Sequence, residues 1–315
     1  MNKILITGAA GFIGVKLARE LINKKNKIYL LDNLSRGKSD IFFKEILKNK
    51  DVHFFKKDLN KKLAFKENFD YIFHLASVVG VKNVNKDPLL TISNNILSTV
   101  NLIKSIRNKK KTKFIFFSTS EVYSPASEIS KIFKPAEETS NLLILSDTKP
   151  RDSYFLSKLI NEKIVTLSGL RYLILRPHNV YGPRMGISHV IPELIKRIKK
   201  NNECKVYSPN HTRSFCYIDD AIKQILKLSF SRKNYNSVFN IGNMNEEIQI
   251  FNLAREIKKI VNKQCNLIKY KITPGSPKRR VPNMRKTNSV TKIKKFINLK
   301  KGLLKTTEWY LNEKN

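Results

Sequence analysis

KILITGAAGFIG, residues 3–14, joins a short apolar run to a turn with glycine at every third position. The run 4–7 reads as a strand, and the stretch 13–23 behind the turn has the apolar spacing of an amphipathic helix. Gly8, Gly11 and Gly14 permit a tight bend and let backbone approach a pyrophosphate at the helix N-terminus. The spacing is GxxGxxG, not GxGxxG, so the turn draws its meaning from the residues downstream of it. Asp32 closes the next apolar run, 28–31, at about the 20-residue interval where a carboxylate meets the adenosine ribose and repels a 2′-phosphate. This arrangement predicts NAD in preference to NADP. Arg36 reads as a loop residue, and Asp58, after a third run at 52–55, as a neighbour of the adenine edge or a loop cap.

Working outward, further apolar runs at 71–75, 114–118 and 172–175 alternate with helical stretches such as 93–106. Nearly continuous apolar strands separated by helices imply a parallel sheet covered on both faces. The expected fold class is α/β, a Rossmann-like doubly wound sheet with a smaller C-terminal α/β lobe. After Arg176 the pattern changes: Pro177, Gly182, Pro183 and Gly186 punctuate a loop, then come a helix near 191–199, short strands and a proline-rich stretch at 274–282. The expected organisation is a dinucleotide-binding domain over 1–180 and a substrate lobe over 181–315, with segments such as 218–228 packing back on the first.

A chain of 315 residues with 41% hydrophobic content has material for a sizeable core. No apolar run approaches the roughly 18 residues of a membrane span, and the run at 4–6 is followed by glycines in the manner of a first strand, not a signal peptide. A cytoplasmic enzyme without membrane insertion is expected. Cys204, Cys216 and Cys265 are widely spaced, and the five histidines show no ligand spacing, so neither a disulfide framework nor a metal site is expected. The formal charge of +36 attracts polyanions, yet it is spread in short clusters such as residues 23–27 and 108–111 with no aromatic-interleaved RNA motif. That distribution reads as a solvated lysine-rich surface without specific nucleic-acid binding.

YFLSK, residues 154–158, places Tyr154 and Lys158 one helical turn apart. A phenol near pKa 10 is a weak base at neutral pH unless a cation favours its phenolate, and Lys158 is placed to supply that cation. Upstream lies a Ser/Thr cluster, Ser118, Thr119 and Ser120. Together with the glycine turn these are the parts of a nicotinamide-dependent redox site.

The chain resembles the extended short-chain dehydrogenase/reductase family, the NAD-dependent nucleotide-sugar epimerases, dehydratases and decarboxylases. The resemblance rests on the glycine turn, HLAS (74–77), FSTSEVY (117–123), YFLSK, RPHNVYGPRM (176–185), TRSFCYIDD (212–220) and FNIGN (239–243). It implies that Tyr154 takes the proton of a sugar C4 hydroxyl, that Lys158 also holds the nicotinamide ribose, and that Thr119 hydrogen-bonds the C4 oxygen. It implies further cofactor contacts at Phe12, Ile13, Asn33, Asp58, Leu59, Leu75 and Ala76, and substrate contacts at Ser120, Asn179, Arg184, Arg213 and Arg280. A homodimer through the helices at 93–106 and 152–166 is also implied.

The reaction turns on Glu121 in this resemblance. A 4-keto sugar can be reduced from its other face, lose a C5 carboxylate, or lose water across C5 and C6; elimination needs a base at C5. Thr119, Ser120 and Glu121 match the Thr-Ser-Glu of UDP-glucuronate decarboxylases, which ranks decarboxylation first, 4-epimerisation second and 4,6-dehydration third. The second class of function, a non-catalytic reader of NAD or nucleic acid, has no use for Thr119, Tyr154 and Lys158 together. The departures from the family pattern are Ser124 for glycine, a long 125–151 segment, His178 for a bulky aromatic, Val281 for lysine and Asn283 for aspartate. All of them fall on the substrate side.

Overall fold

The computed structural model describes residues 1–22, 24–126, 135–231 and 233–312. The chain begins with β1 (Lys3–Thr7), α1 (Phe12–Ile22), β2 (Lys27–Asp32), α2 (Ile41–Leu47), β3 (Val52–Lys56) and β4 (Tyr71–His74). It continues with α3 (Val81–Lys86), α4 (Pro88–Lys104), β5 (Lys113–Phe117), a 3-10 turn (Ser120–Tyr123), α5 (Asp152–Leu167) and β6 (Arg171–Pro177). Asn23, the last residue of the expected first helix, and residues 127–134 of the long substrate-side segment lie outside the described residues.

The remaining elements are β7 (Val180–Tyr181), α6 (Val190–Lys200), β8 (Glu203–Val206), β9 (Thr212–Ser214), β10 (Cys216–Tyr217), α7 (Ile218–Phe230) and β11 (Ser237–Ile241). They end with β12 (Glu247–Gln249), α8 (Ile250–Val261), β13 (Asn266–Lys269), β14 (Arg279–Arg280), α9 (Arg285–Thr291) and α10 (Leu299–Asn312). By compactness Met1–Val122, Ser146–Arg176 and Ile225–Phe239 make one unit, and Tyr123–Leu145, Pro177–Gln224 and Asn240–Asn315 another.

Seven strands form the principal sheet in the order β11-β6-β5-β4-β1-β2-β3, and neighbours from β3 to β6 pair parallel. Reversal of strand order beside β1 is the arrangement of a doubly wound dinucleotide fold. Leu5, Ile72, Phe114, Phe116 and Ile174 are buried on one face with Leu102 and Ile103 of α4 and Val165 of α5. Ile4, Ile6, Ile28 and Leu30 are buried as well, as are Leu17 and Leu21 of α1. Each such side chain contributes about 1.5–3 kcal/mol on leaving water, and burial on both faces explains why the strand sequences show no polar alternation.

Helix α4 begins at Pro88, ahead of the start at residue 93 expected from its apolar spacing. The Asp87 side chain accepts the Leu90 amide at 2.8 Å and Pro88 occupies the first helical turn, so cap and proline set the boundary. Strand β11 joins the sheet from a segment that the sequence marks only as the FNIGN motif. Lys113, at the start of β5, donates from Nζ to the carbonyls of Ser229 at 2.7 Å and Ser231 at 3.1 Å. This caps the end of α7 with a cation whose burial pushes it down to about 8.

The second unit has no comparable sheet among its described residues. It carries a three-stranded β12-β9-β14 piece and the parallel pairs β13-β8 and β10-β7. Beside them, α6 buries Ile191, Leu194, Ile195 and Ile198, while α8 buries Ile250, Leu253, Ala254 and Ile257. The i, i+3, i+4, i+7 spacing is the one the sequence shows.

Candidate active site

Gly8 ends β1 with φ +66°, and a Cβ there would lie 2.7 Å from the Ala76 amide nitrogen. At Gly14 a Cβ would meet the Gly8 carbonyl at 2.5 Å, so α1 packs directly on the turn. Only glycine fits either position. The first-turn amides of α1, including those of Phe12 and Ile13, point out of the helix end without intrahelical acceptors. Leu75 and Ala76 follow β4 at the same sheet edge; their amides donate to the Thr7 carbonyl at 3.2 Å and the Thr7 hydroxyl at 3.4 Å.

Asp32 is buried at the end of β2, where its carboxylate accepts the Ala10 amide at 3.0 Å and the Leu34 amide at 2.8 Å. It therefore fastens the glycine turn while each oxygen keeps a lone pair for a ribose hydroxyl. Asn33 is exposed and bonds Ser35; Asp58 accepts the Asn60 amide at 2.9 Å as a loop cap. Leu59 packs its side chain into the core and presents its carbonyl to Asn101 at 3.0 Å. A cramped glycine turn, a helix N-terminus and a carboxylate with remaining acceptor capacity fit a dinucleotide. Gly8, Gly11, Gly14, the Phe12 and Ile13 amides and Asp32 are the groups that would hold it.

Helix α5 carries Tyr154 in its first turn and Lys158 one turn on. Lys158 is 2% exposed; its Nζ donates to the Phe117 carbonyl at 2.8 Å and lies 6.0 Å from the Tyr154 ring centroid. Burial pushes the ammonium down to about 7, against the upward pull of Glu162. Thr119 follows β5, and its Oγ1 accepts the Glu121 amide at 3.2 Å, which leaves the hydroxyl proton free to donate. Ser120 and Glu121 open the 3-10 turn behind it. The structure thus gathers Thr119, Tyr154 and Lys158 around the ends of β5 and α5.

Two neighbours of this group were not assigned a role by the sequence. His74 is buried, with Nδ1 2.8 Å from the Thr7 hydroxyl and Nε2 3.0 Å from that of Thr99. Thr99 gives its proton to the Asn95 carbonyl, so Nε2 carries the imidazole hydrogen and Nδ1 accepts from Thr7. Burial, reinforced by Lys158, pushes His74 down to about 3 and keeps it neutral. Arg36, read as a plain loop residue, lies within electrostatic reach of the Tyr154 phenol: burial lowers its proton affinity and Tyr154 raises it. HLAS could have flagged His74, but no local signal aims Arg36 at α5.

In the second unit, β9 and β14 run parallel with Arg213 directly opposite Arg280 and Thr212 opposite Arg279. Each pair shares a face, and alternation along the strands sends the two pairs to opposite faces. On one face Arg279 forks onto Glu247 at 2.7 Å through both Nε and Nη2, and Thr212 donates to the same carboxylate at 2.6 Å. These bonds hold Glu247 below the usual carboxylate range. On the other face stand Arg213 and Arg280, with Arg213 bonded to the Thr212 carbonyl at 2.7 Å and to Ser276 at 2.8 Å. Two guanidinium side chains thus stand at one register position on this face.

Asn179 lies between β6 and β7 and Arg184 in the loop after β7, with φ +39° and +70°, and the Asn179 amide donates to the Ser214 carbonyl at 2.9 Å. Of the sequence departures, His178 is buried against Tyr123 at 5.9 Å between ring centroids and bonds Asn240 at 3.1 Å. Val281 is buried and its carbonyl accepts the Ala136 amide at 2.8 Å. Tyr207, a residue the sequence did not mark, is an exposed ring with the Arg197 guanidinium 5.2 Å from its centroid and Tyr270 5.0 Å away. Its signal is an exposed aromatic just beyond an alternating strand.

Among the described residues no His, Cys, Asp or Glu cluster could hold a metal, and no helix is long and apolar enough to cross a membrane.

The sheet order, the glycine turn and the Tyr/Lys pair define a dinucleotide-dependent enzyme fold. The chain belongs to the NAD dependent epimerase/dehydratase family, whose profile matches residues 4–242, and NAD is its cofactor. It is 29% identical to a UDP-N-acetyl-alpha-D-glucosaminuronate decarboxylase from Bacillus cytotoxicus over 330 residues, covering 100% of this chain and 99% of the relative. It is 30% identical over 320 residues to a putative UDP-glucose 4-epimerase of Methanocaldococcus jannaschii, with 98% of each chain covered. The UDP-glucuronic acid 4-epimerase of Bacillus cereus, solved with UDP-glucuronic acid and NAD, superposes with a TM-score of 0.84 at 26% identity. That match covers 98% of this chain and 99% of the other. These relatives divide between decarboxylation and epimerisation.

Proposed function

We propose that this chain oxidises the C4 hydroxyl of a UDP-sugar to a ketone and acts as a UDP-glucuronate decarboxylase. The observation that carries the oxidation is the Lys158 ammonium, buried beside the Tyr154 ring and fixed on the Phe117 carbonyl. NAD held by the glycine turn and Asp32 would supply the acceptor for the C4 hydride and the source of its return. Tyr154 Oη takes the C4 hydroxyl proton, and the Lys158 charge favours the phenolate that must do so. The Thr119 hydroxyl donates to the C4 oxygen. With a ketone at C4, a carboxylate on C5 is that of a β-keto acid; it leaves as carbon dioxide and its bonding electrons pass towards C4. Glu121, two residues from Thr119, handles the proton at C5 afterwards.

The facing Arg213 and Arg280 support an anionic substrate, the fork of each suiting a diphosphate or a carboxylate. Asn179 and Arg184 border the sugar diphosphate. Asp58, Asn33, Leu59, Leu75 and Ala76 are assigned to the rim of the cofactor. In this reading the protein is cytoplasmic and homodimeric, and its 1–180 and 181–315 portions serve cofactor and substrate.

Epimerisation at C4 is the second reading, favoured by Val281: a buried valine stands where decarboxylases carry a lysine. Proton NMR of a reaction with UDP-glucuronate separates the two. Decarboxylation yields a UDP-pentose with carbon dioxide release, inversion at C4 establishes an epimerase, and unchanged substrate overturns both. Glu121→Gln sharpens the test, since a decarboxylase should lose about 100-fold in kcat with its C5 proton donor while an epimerase retains its rate.

A further inference from the structure

One turn beyond Lys158 on α5, Glu162 is buried in a fully bonded setting that the proposed reaction leaves without a task. Its Oε1 accepts the Ser118 hydroxyl at 2.5 Å and Arg176 Nε at 2.9 Å, and its Oε2 accepts Arg176 Nη2 at 2.6 Å. The Arg176 and Glu162 side chains are 4% and 5% exposed. A buried ion pair repays its desolvation poorly as a source of stability, so its position matters more than its strength. Ser118 lies between Phe117, whose carbonyl receives Lys158, and Thr119. The carboxylate thus anchors the strand end that presents both groups.

Other charged or titratable groups among the described residues face this spot. Tyr154 shares α5 with Lys158, and Arg36 approaches Tyr154 from the loop after β2. His74 comes from β4 and is neutral above about 3, and Arg176 comes from β6. Glu162 is a carboxylate whose charge favours the Lys158 ammonium, and the Arg176 guanidinium is paired with that carboxylate.

We propose that Glu162 is a positioning residue that acts through Lys158, and that Arg176 sets the strength of its action, so the pair tunes the base without touching the substrate. The inference rests on the Tyr154/Lys158 reading only for its effect on rate. Its electrostatic part concerns Lys158 alone.

Titrating the side-chain 13C resonance of Lys158 in Tyr154→Phe protein, assigned against Lys158→Met, tests it in the absence of turnover. Glu162→Gln should lower the Lys158 midpoint by about one pH unit, a tenfold smaller ammonium fraction on the alkaline side. Arg176→Gln should raise it, by exposing Lys158 to the full carboxylate charge. The double variant, which removes both charges, should return it close to the parent value. Ser118→Ala, which costs one hydrogen bond and no charge, should leave it in place and guards against misreading a distorted fold. In chains that retain Tyr154, the alkaline limb of the pH–rate profile should move in the same sense as each midpoint. Midpoints unmoved, or moved the same way by both single changes, overturn the proposal. Midpoints that move while the pH–rate profile stays still overturn its catalytic half and leave the electrostatic half standing.

Discussion

Tyr154 and Lys158 are intelligible only as a pair, since a phenol at its ordinary pKa near 10 is protonated in neutral solution. Tyr154→Phe keeps the ring that packs beside Lys158 and removes the oxygen; turnover should fall at least about 1000-fold while NAD binding, followed by fluorescence titration, stays within about twofold. Retained turnover would displace Tyr154 as the base. His74 makes a prediction about folding. Its folded value of about 3 lies below the ordinary 6.5, so between the two the unfolded chain binds a proton that the native state refuses. The stability from burying it neutral is complete above 6.5 and drains away as pH falls towards 3. At about 1.4 kcal/mol for each pH unit of that window, the upper bound is about 5 kcal/mol. Urea unfolding across this window should show the decline, and His74→Asn should flatten it; equal slopes would mean that His74 is solvated.

At the level of elements, legibility in the sequence followed the range of the forces. Strands β1 to β6 announced themselves because each is apolar on both faces, and α1 because its stripe repeats every third or fourth residue. The start of α4 required the capping chemistry of Asp87 and Pro88 to be weighed above periodicity. The Thr119, Tyr154 and Lys158 group was legible because its members lie in short motifs at sheet and helix ends. Arg36 was not, since its approach to Tyr154 depends on the path of a loop, and the pairing of Arg213 with Arg280 is a register between strands far apart in the chain. Helix α10 hides a similar long-range demand. At Gly302 a Cβ would overlap the Tyr181 hydroxyl oxygen, and that hydroxyl donates to the Leu299 carbonyl at 3.3 Å. An isolated helix gains about 1 kcal/mol from Gly→Ala, but here the methyl must displace a fully buried ring. Gly302→Ala should destabilise by about 2 kcal/mol, and the double change with Tyr181→Phe should recover part of the loss in thermal melts. A stabilised single variant would mean that α10 shifts freely.

For the whole molecule the two governing features are an apolar helical face and a very large positive charge. Leu89, Leu90 and Leu97 of α4 are 75%, 50% and 47% exposed, and Ile160 and Leu167 of α5 are 38% and 86% exposed. Leucine and isoleucine gathered on adjacent helices exceed the scattered exposure that solvent tolerates without comment, and a second copy of the same face would cover them. The formal charge of +36 per chain opposes that association at long range. Salt shortens the screening length from about 30 Å at 0.01 M to about 8 Å at 0.15 M, which weakens the repulsion and leaves apolar burial almost untouched. Sedimentation equilibrium should therefore report twice 36.5 kDa at physiological ionic strength, with dissociation favoured as salt is withdrawn. An interface built on ion pairs would respond in the opposite sense. Leu97→Glu with Ile160→Glu would put four carboxylates into a symmetric contact through this face and should give a 36.5 kDa species at every salt concentration. A parent chain that stays at 36.5 kDa at micromolar concentration and about 0.15 M salt would remove α4 and α5 as a self-association surface.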